Sequence, residues 1–464
     1  MTYPGAAQYA HDGFEDIASW VYKQSNHVGF DVEAFGKGFC ADFGDVHRQL
    51  CFVYRDNLVH FYWFLRRLAS IGVDPVSYLI GSGRLLSAYH SSGLYAALYV
   101  SGCASWDDAD RLATGMECER ILRDVERDLV GQDIDELRSL DPETADEVTR
   151  EAVRTLIRNA RKRCKHVPDG PETIERVFRQ TTGDVTPQDR SILQQVLRGK
   201  LICLSGLGPR PFVRQDVDRL LAYCHERDIH VDLSVINGPD LHVIGGSALH
   251  VARAEVIARK GYAGRIPFLV SQVVIEGAPH TSRFQEVVRR YESVVDRFFA
   301  DGRLREPVVP FLSRYGKLIV TAEEVREEVL HLLDQTYDFQ AVCKTAIRQG
   351  IQWVLTGLSG DQSPGRRVVR ANLMDAAMGE GRIDILFAST AASAGGNYHE
   401  RETLLELLAR DAADTSSVGA RHHLLDSLEN LRGAWEEGLE KKRQSRSFGK
   451  LRKESYESVP AVVA

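Results

Sequence analysis

The sequence has no uninterrupted apolar stretch near the roughly 20 residues of a membrane-spanning helix. Its opening residues, MTYPGAAQYAHDGFED, have neither the basic nor the apolar region of a secretory signal. The expected compartment is the cytoplasm. No CxxC pair occurs among the cysteines Cys40, Cys51, Cys103, Cys118, Cys164, Cys203, Cys224 and Cys343, which removes the usual spacing of a zinc or dithiol redox site. They fall mostly inside apolar segments and read as reduced core residues. The nearest thing to a metal cluster, Cys224, His225 and His230 in CHERDIH, is not HExxH and suits a helix running into a turn, so no metal is expected. Excess basic charge is also missing. With 58 Lys and Arg against 65 Asp and Glu the net charge is -7, which argues against wholesale binding to nucleic acid or an anionic membrane. What the chain does have is length and apolar content. Its 464 residues, 44% of them hydrophobic, suffice for a large interior or two.

Residues 45–72 place apolar groups at helical spacing on more than one face and predict a buried helix ending at Gly72. A short β-like run, Leu85 to Tyr89, then meets a small polar turn and an apolar helical stretch from Gly93 to Val100. From about Trp106 to Arg198 the composition is charged on a helical background without strand signals. At Leu201 the rhythm changes: LICLS, DVDRLLAYCHER, HVDLSVIN, DLHVIGG, ALHVARAEVIARK and FLVSQVVIEGAP read β-α-β-β-α-β, the ferredoxin-like split motif. Strands PVVPFLS and QWVLTG then alternate with helices from Ala322 to Asp334 and from Phe339 to Arg348, which indicates an α/β layered core. The expected organisation is a large α/β domain over 1–199 and 278–396, a ferredoxin-like small domain over 200–277, and a C-terminal part over 397–464. In that last part a helix, ETLLELLARDA, precedes a tail, KKRQSRSFGKLRKESYES, expected to be disordered.

The strongest chemical signal is Tyr89-His90-Ser91-Ser92-Gly93 at the strand-to-helix turn. A serine on such an elbow is raised toward a ligand, with the next backbone N–H and the helix N-terminus aimed at an oxyanion on its acyl group. The same residues also describe a small polar helix cap. A serine nucleophile needs a base, and His280 in EGAPHTSRF, directly after the last small-domain strand, is the candidate. By itself it reads first as a capping or core histidine at a domain junction. GLGPRP lacks the third glycine of a phosphate loop and reads as a plain βα connection.

AYHSSGLYAALYVSGCASWDDADRL resembles the nucleophile region of the acyl-CoA:acyl carrier protein transacylases, GHSxGEYAALxxAGxLSxEDAxRL. INGPDLHVIGG resembles their NGPxxxVVSG segment, and GAPHTSRF their FHSPLM histidine segment. PVVPFLSRYGKLI, QTYDF and QWVLTG follow in the family's order. HSSGL and RIPFLVSQVVIEGAPH are most similar to the starter acetyltransferase domain of fungal-type and actinobacterial type I fatty acid synthases. The resemblance covers about 45–110 and 200–390. It implies an α/β-hydrolase-like large domain with an inserted ferredoxin-like small domain. It further implies Ser91 as the acylated nucleophile, His280 as general base, and the Ser92 N–H as one oxyanion donor. Ala6, in the remnant Tyr3-Pro4-Gly5-Ala6-Ala7-Gln8 of the family's PGQGSQ loop, would be the other. Met116, His90, Tyr89 and Asn237 would line the acyl pocket.

Departures from the pattern refine these expectations. Met116 stands where extender-loading members carry an arginine for the malonyl carboxylate, and a thioether cannot pair a buried carboxylate, so a neutral acyl group is expected. Tyr89 replaces the family's glycine, so the turn is either remodelled or dead. GLSGDQSPG replaces FGPG. The expected reaction moves an acyl group from acyl-CoA to the phosphopantetheine thiol of an acyl carrier protein, without metal or redox cofactor. The carrier, an acidic protein, could dock on the basic run Arg154, Arg158, Arg161, Lys162, Arg163 and Lys165. The alternatives are an acyl-thioester hydrolase with the same dyad and a silent homologue that binds a synthase.

Overall fold

The computed structural model describes residues 14–24, 46–163, 167–180, 185–206, 214–265, 267–351, 353–356, 364–381, 386–389, 427–447 and 461–463. Helix α1 (Phe14–Gln24) packs on α2 (Val46–Ser70), the long helix expected from its apolar spacing. Tyr54, Leu58, Phe61, Tyr62, Phe64, Leu65 and Leu68 are all buried, and because they occupy more than one face the helix runs through the core rather than along its surface. Gly72, at φ 88, turns the chain out of it. Strand β1 (Leu86–Ser87) leads through a short 3₁₀ turn at Ser91–Gly93 into α3 (Leu94–Val100), every residue of which is buried. The described residues of the charged stretch form helices joined by short turns and contain no strand: α4 (Trp106–Thr114), α5 (Met116–Ser139), α6 (Glu147–Arg163), α7 (Gly170–Arg179) and α8 (Pro187–Val196).

The small domain comprises β2 (Lys200–Ser205), α9 (Arg214–His225), β3 (Val231–Gly238), β4 (Leu241–Gly246), α10 (Ala248–Lys260) and β5 (Leu269–Glu276). Its strands run antiparallel in the order β5-β2-β4-β3, the split motif read from the sequence. Strand alternation gives the sheet two apolar faces. Ile202, Leu204, Val231, Leu233 and Ile244 pack under α9 and α10, while Leu201, Val235 and Val243 join the core of the large domain. The other side of α10, at Ala248, Leu249 and Ala252, packs on α6 and its neighbours, so the charged helices form an outer layer.

The chain then returns through α11 (Gln285–Ala300), the hairpin β6 (Phe311–Leu312) and β7 (Leu318–Ile319), and α12 (Ala322–Leu330), which is closed by a capping box between Thr321 and Glu324. Strand β8 (Tyr337–Asp338) adds in parallel to β3 and extends the small sheet to β5-β2-β4-β3-β8. Helix α13 (Phe339–Arg348), β9 (Trp353–Thr356), α14 (Pro364–Gly379) and β10 (Leu386–Ser389) follow. The strand PVVPFLS shrinks to the two residues of β6.

The C-terminal reading requires correction. The tail expected to be disordered begins inside a helix, α15 (Leu428–Ser447), because Leu431, Trp435 and Leu439 bury one helical face and Arg443 donates to the Gly102 carbonyl. Further on, β11 (Ala461–Val463) inserts between β9 and β1 in the large sheet, ordered β10-β9-β11-β1-β6-β7 and parallel except at β7. Charge dominates the composition of 441–458 and masks the helix, while β11 is only three residues long and gives too short an apolar run to read as a strand. The expected helix ETLLELLARDA, Ala6 and residues 207–211 of GLGPRP lie outside the described residues.

Candidate active site

Ser91 and His280 come from segments 189 residues apart, and Ser91 Oγ lies 2.7 Å from His280 Nε2. The serine follows β1 at the start of the 3₁₀ turn with φ 53, a left-handed conformation that costs a non-glycine residue about 1–3 kcal/mol. Such a turn lifts the side chain out of the strand line and sets the Ser92 N–H at the head of the 3₁₀ turn leading into α3. Tyr337 donates to the Tyr89 carbonyl and so pins the strand just before the elbow.

The base loop is fixed from several sides. Ala278 and His280 have φ of 55 and 63, and the His280 N–H donates to the Leu333 carbonyl at 2.6 Å. Ser234 Oγ donates to the Pro279 carbonyl at 2.9 Å, Thr281 Oγ1 to the Ala278 carbonyl at 2.6 Å, and Ser282 N–H to Asp232 at 2.8 Å. Arg283 makes a two-pronged pair with the buried Asp133 of α5, at 3.1 and 2.6 Å. Gly245 packs closely beside this loop. A Cβ there would fall 2.5 Å from Leu201 Cδ2 and 3.1 Å from Thr281 Cγ2.

His280 is 2% exposed, and burial first, then the neighbouring His90, push its imidazole down to about 3, with the Leu332 carbonyl opposing and the Arg314 guanidinium adding the least. The ring is therefore neutral at neutral pH, and a neutral Nε2 can accept the Ser91 proton. No carboxylate among the described residues backs Nδ1, and the backbone at Leu332 is the group that favours a proton on the ring.

His90 and Asn237 are brought to the same place. Asn237 Oδ1 accepts from His90 Nε2 at 3.0 Å, and the His90 ring packs edge-on to Phe339 with centroids 4.7 Å apart. Burial holds the His90 imidazole below its ordinary value, so it too is a neutral, polar wall beside Ser91. Tyr89 is placed differently from the acyl-pocket expectation. Its fully buried ring turns into the core against Phe311 and Tyr337, with centroids 5.8 and 5.3 Å away, and its hydroxyl donates to Glu328. The elbow accommodates the ring because it points away from the turn into this buried aromatic cluster.

Met116 is the first residue of α5, and its side chain lies outside the described ones. Arg154, Arg158, Arg161 and Lys162 form an exposed edge of α6, separated from the small sheet by α10. His225 and His230 have other partners, the Val231 carbonyl at 3.1 Å and Asp228 at 2.8 Å. The sequence reading missed Glu328, which carries no motif, and gave no role to Arg314, which lies inside the PVVPFLSRYGKLI match, or to the rings of Tyr337 and Phe339, which lie inside QTYDF.

No protein-family model matches the chain, and no curated protein matches its sequence. Solved structures do. The malonyl CoA-acyl carrier protein transacylase from Clostridium perfringens is similar with a TM-score of 0.54 at 13% identity, over 89% of this chain and 96% of that one. FabD from Acinetobacter baumannii gives 0.52 at 15%, over 87% and 94%. The acyltransferase domain from the second module of the salinomycin polyketide synthase gives 0.51 at 14%, over 89% and 73%. This chain has the acyl transferase fold. The likeness at such identities is one of architecture.

Proposed function

We propose that this chain is a serine acyltransferase that moves a neutral acyl group from a coenzyme A thioester, through a Ser91 ester, to the phosphopantetheine thiol of an acyl carrier protein. The observation that carries the reading is the 2.7 Å approach of Ser91 Oγ to a neutral, buried His280 Nε2 on a strained strand-to-helix elbow. In the first half-reaction His280 Nε2 takes the Ser91 proton as Oγ bonds to the thioester carbonyl carbon. The resulting oxyanion faces the Ser92 N–H. Collapse breaks the C–S bond, and the departing thiolate takes the proton back from His280. In the second half-reaction His280 takes the proton of the carrier thiol, its sulfur attacks the Ser91 ester, and Ser91 leaves with that proton. This order is ping-pong.

A ring with so low a proton affinity holds a proton only while a negative charge stands beside it, so imidazolium and oxyanion form and vanish together. The Arg314 guanidinium that bears on His280 is already paired with Glu328 at 3.3 Å, which supports a neutral acyl group over one carrying its own carboxylate. The exposed Arg154, Arg158, Arg161 and Lys162 supply a basic face for the acidic carrier.

The test is intact-protein mass spectrometry after incubation with a panel of acyl-CoAs. The expected result is an acyl adduct that persists in water and is discharged by a carrier thiol. Rapid turnover to free acid would make the protein a hydrolase, and absence of any adduct would overturn the reading.

A further inference from the structure

We infer that Tyr89, Glu328 and Arg314 form a positioning relay that holds the base loop in register with the nucleophile elbow, a role that rests on the Ser91–His280 reading above. Tyr89 lies two residues before Ser91, and its hydroxyl donates to Glu328 in the last turn of α12. Burial and the neighbouring carboxylate raise its phenol well above the ordinary value, so it remains a donor. Glu328 Oε2 accepts from Arg314 Nε and Nη2, each at 3.3 Å, and the Arg314 backbone N–H donates to Oε1. The same guanidinium reaches the carbonyls of Glu327 at 2.8 Å, Glu328 at 3.1 Å and His331, placing a cation on the carbonyl end of α12. The next residues of this segment hold the base: Leu333 accepts the His280 N–H, and Leu332 presents its carbonyl to the ring.

One short stretch, 327–333, is thus tied to the elbow at one end and to the base at the other. Tyr89 at 0%, Arg314 at 3%, Glu328 at 5% and His280 at 2% exposure exclude water that could replace these bonds. Ser91 and His280 both hold positive φ, a state that persists only where the surroundings over-determine it. Tyr89 also replaces the hydrogen of the glycine in the resembling family, so the tie through its hydroxyl has no counterpart in that pattern.

The test uses diisopropyl fluorophosphate on the full chain, because this reagent needs the dyad but neither coenzyme A nor a carrier. Ser91 Oγ bonds to phosphorus as the P–F bond breaks, and the serine proton passes through His280 to fluoride. Tyr89→Phe keeps the ring and removes the tie. It should slow phosphorylation about tenfold to a hundredfold, the scale of a small misplacement, with an unchanged saturation constant and a melting temperature near that of the parent. In a His280→Ala background the same substitution should have almost no further effect, because the relay acts through the base. Glu328→Gln, which retains the acceptor for Tyr89, should lose less rate than Glu328→Leu. A parent inert to the reagent overturns dyad and relay together. A reactive parent with Tyr89→Phe at the parent rate, or an equal loss with and without His280, overturns the relay alone.

Discussion

Ser91 and His280 share an unusual backbone state, with φ of 53 and 63, and their side chains meet at 2.7 Å. Either residue alone would be a strained turn. Together they show two loops bent against their local preference to bring one oxygen and one nitrogen into contact, each held by identifiable bonds: Tyr337 on the Tyr89 carbonyl, Leu333 on the His280 N–H.

Ser91→Ala retains the Cβ and hence the strained turn, and removes only Oγ. The expected outcome is complete loss of the acyl adduct in intact-mass spectra, with a melting temperature close to that of the parent. An adduct on the variant would place the nucleophile elsewhere.

His280→Ala should slow formation of the adduct at least about a hundredfold, the ordinary scale for a missing general base. Rapid-quench mass spectrometry measures this directly. A rate near that of the parent would leave His280 as a loop residue with no part in the chemistry.

The same histidine makes a pH prediction whose sign is fixed by its environment. The unfolded chain protonates it near 6.5, while the folded chain refuses the proton until about 3. Stability from the neutral ring is therefore fully present above about 6.5 and is lost toward 3, at about 1.4 kcal/mol per pH unit within that window. His242, pushed down to about 4 by burial and Arg214, adds in the same direction. The melting temperature should fall between pH 7 and pH 5, less steeply in His280→Gln than in the parent. Acylation rate, by contrast, should show no inflection near 6.5. Equal slopes for parent and variant would remove His280 from the account.

How much of this was legible in the sequence follows from the range of each interaction. The split β-α-β-β-α-β order and α2 were readable because alternation and helical spacing are local signals. Ser91 and His280 were readable only as separate fragments joined by a resemblance, since nothing in the residues between them encodes a 2.7 Å contact. Tyr89 was recognised as a departure, but its destination was not, because Glu328 lies 239 residues away and has no motif of its own. Helix α15 was hidden by composition: its buried Leu431, Trp435 and Leu439 are outnumbered by charges on the exposed faces.

Acyl selectivity is the point where geometry and sequence converge. The guanidinium that bears on the dyad is occupied by Glu328, and Met116, at the position where the extender-loading members of the family that the sequence resembles carry an arginine, opens α5. The parent should load acetyl or another neutral acyl group from coenzyme A faster than malonyl, and Met116→Arg should shift the ratio of kcat/KM toward malonyl. Competition between the two thioesters, read by adduct mass, measures the ratio. Efficient malonyl loading by the parent would mean that another cation serves the pocket.

The last prediction concerns β11. Strand β1, which leads into the nucleophile elbow, has parallel partners on both sides: Ser87 pairs with Phe311 of β6, and Leu86 and Ser87 pair with Val462 and Val463. On its other edge β11 pairs with β9, Val462 opposite Val354. An interior strand is hydrogen-bonded along both edges, and a proline there removes a ladder donor and clashes with its neighbours. Val462→Pro should therefore act on the elbow at a distance. It should lower the melting temperature by several degrees and slow the reaction of Ser91, because the strand that aims the serine would lose its support on one side. Val462→Ile, which keeps the β-branch and the N–H, should leave both unchanged. If Val462→Pro melts and reacts like the parent, β11 is not a working member of the sheet, and the elbow is held by β6 and Tyr337 alone.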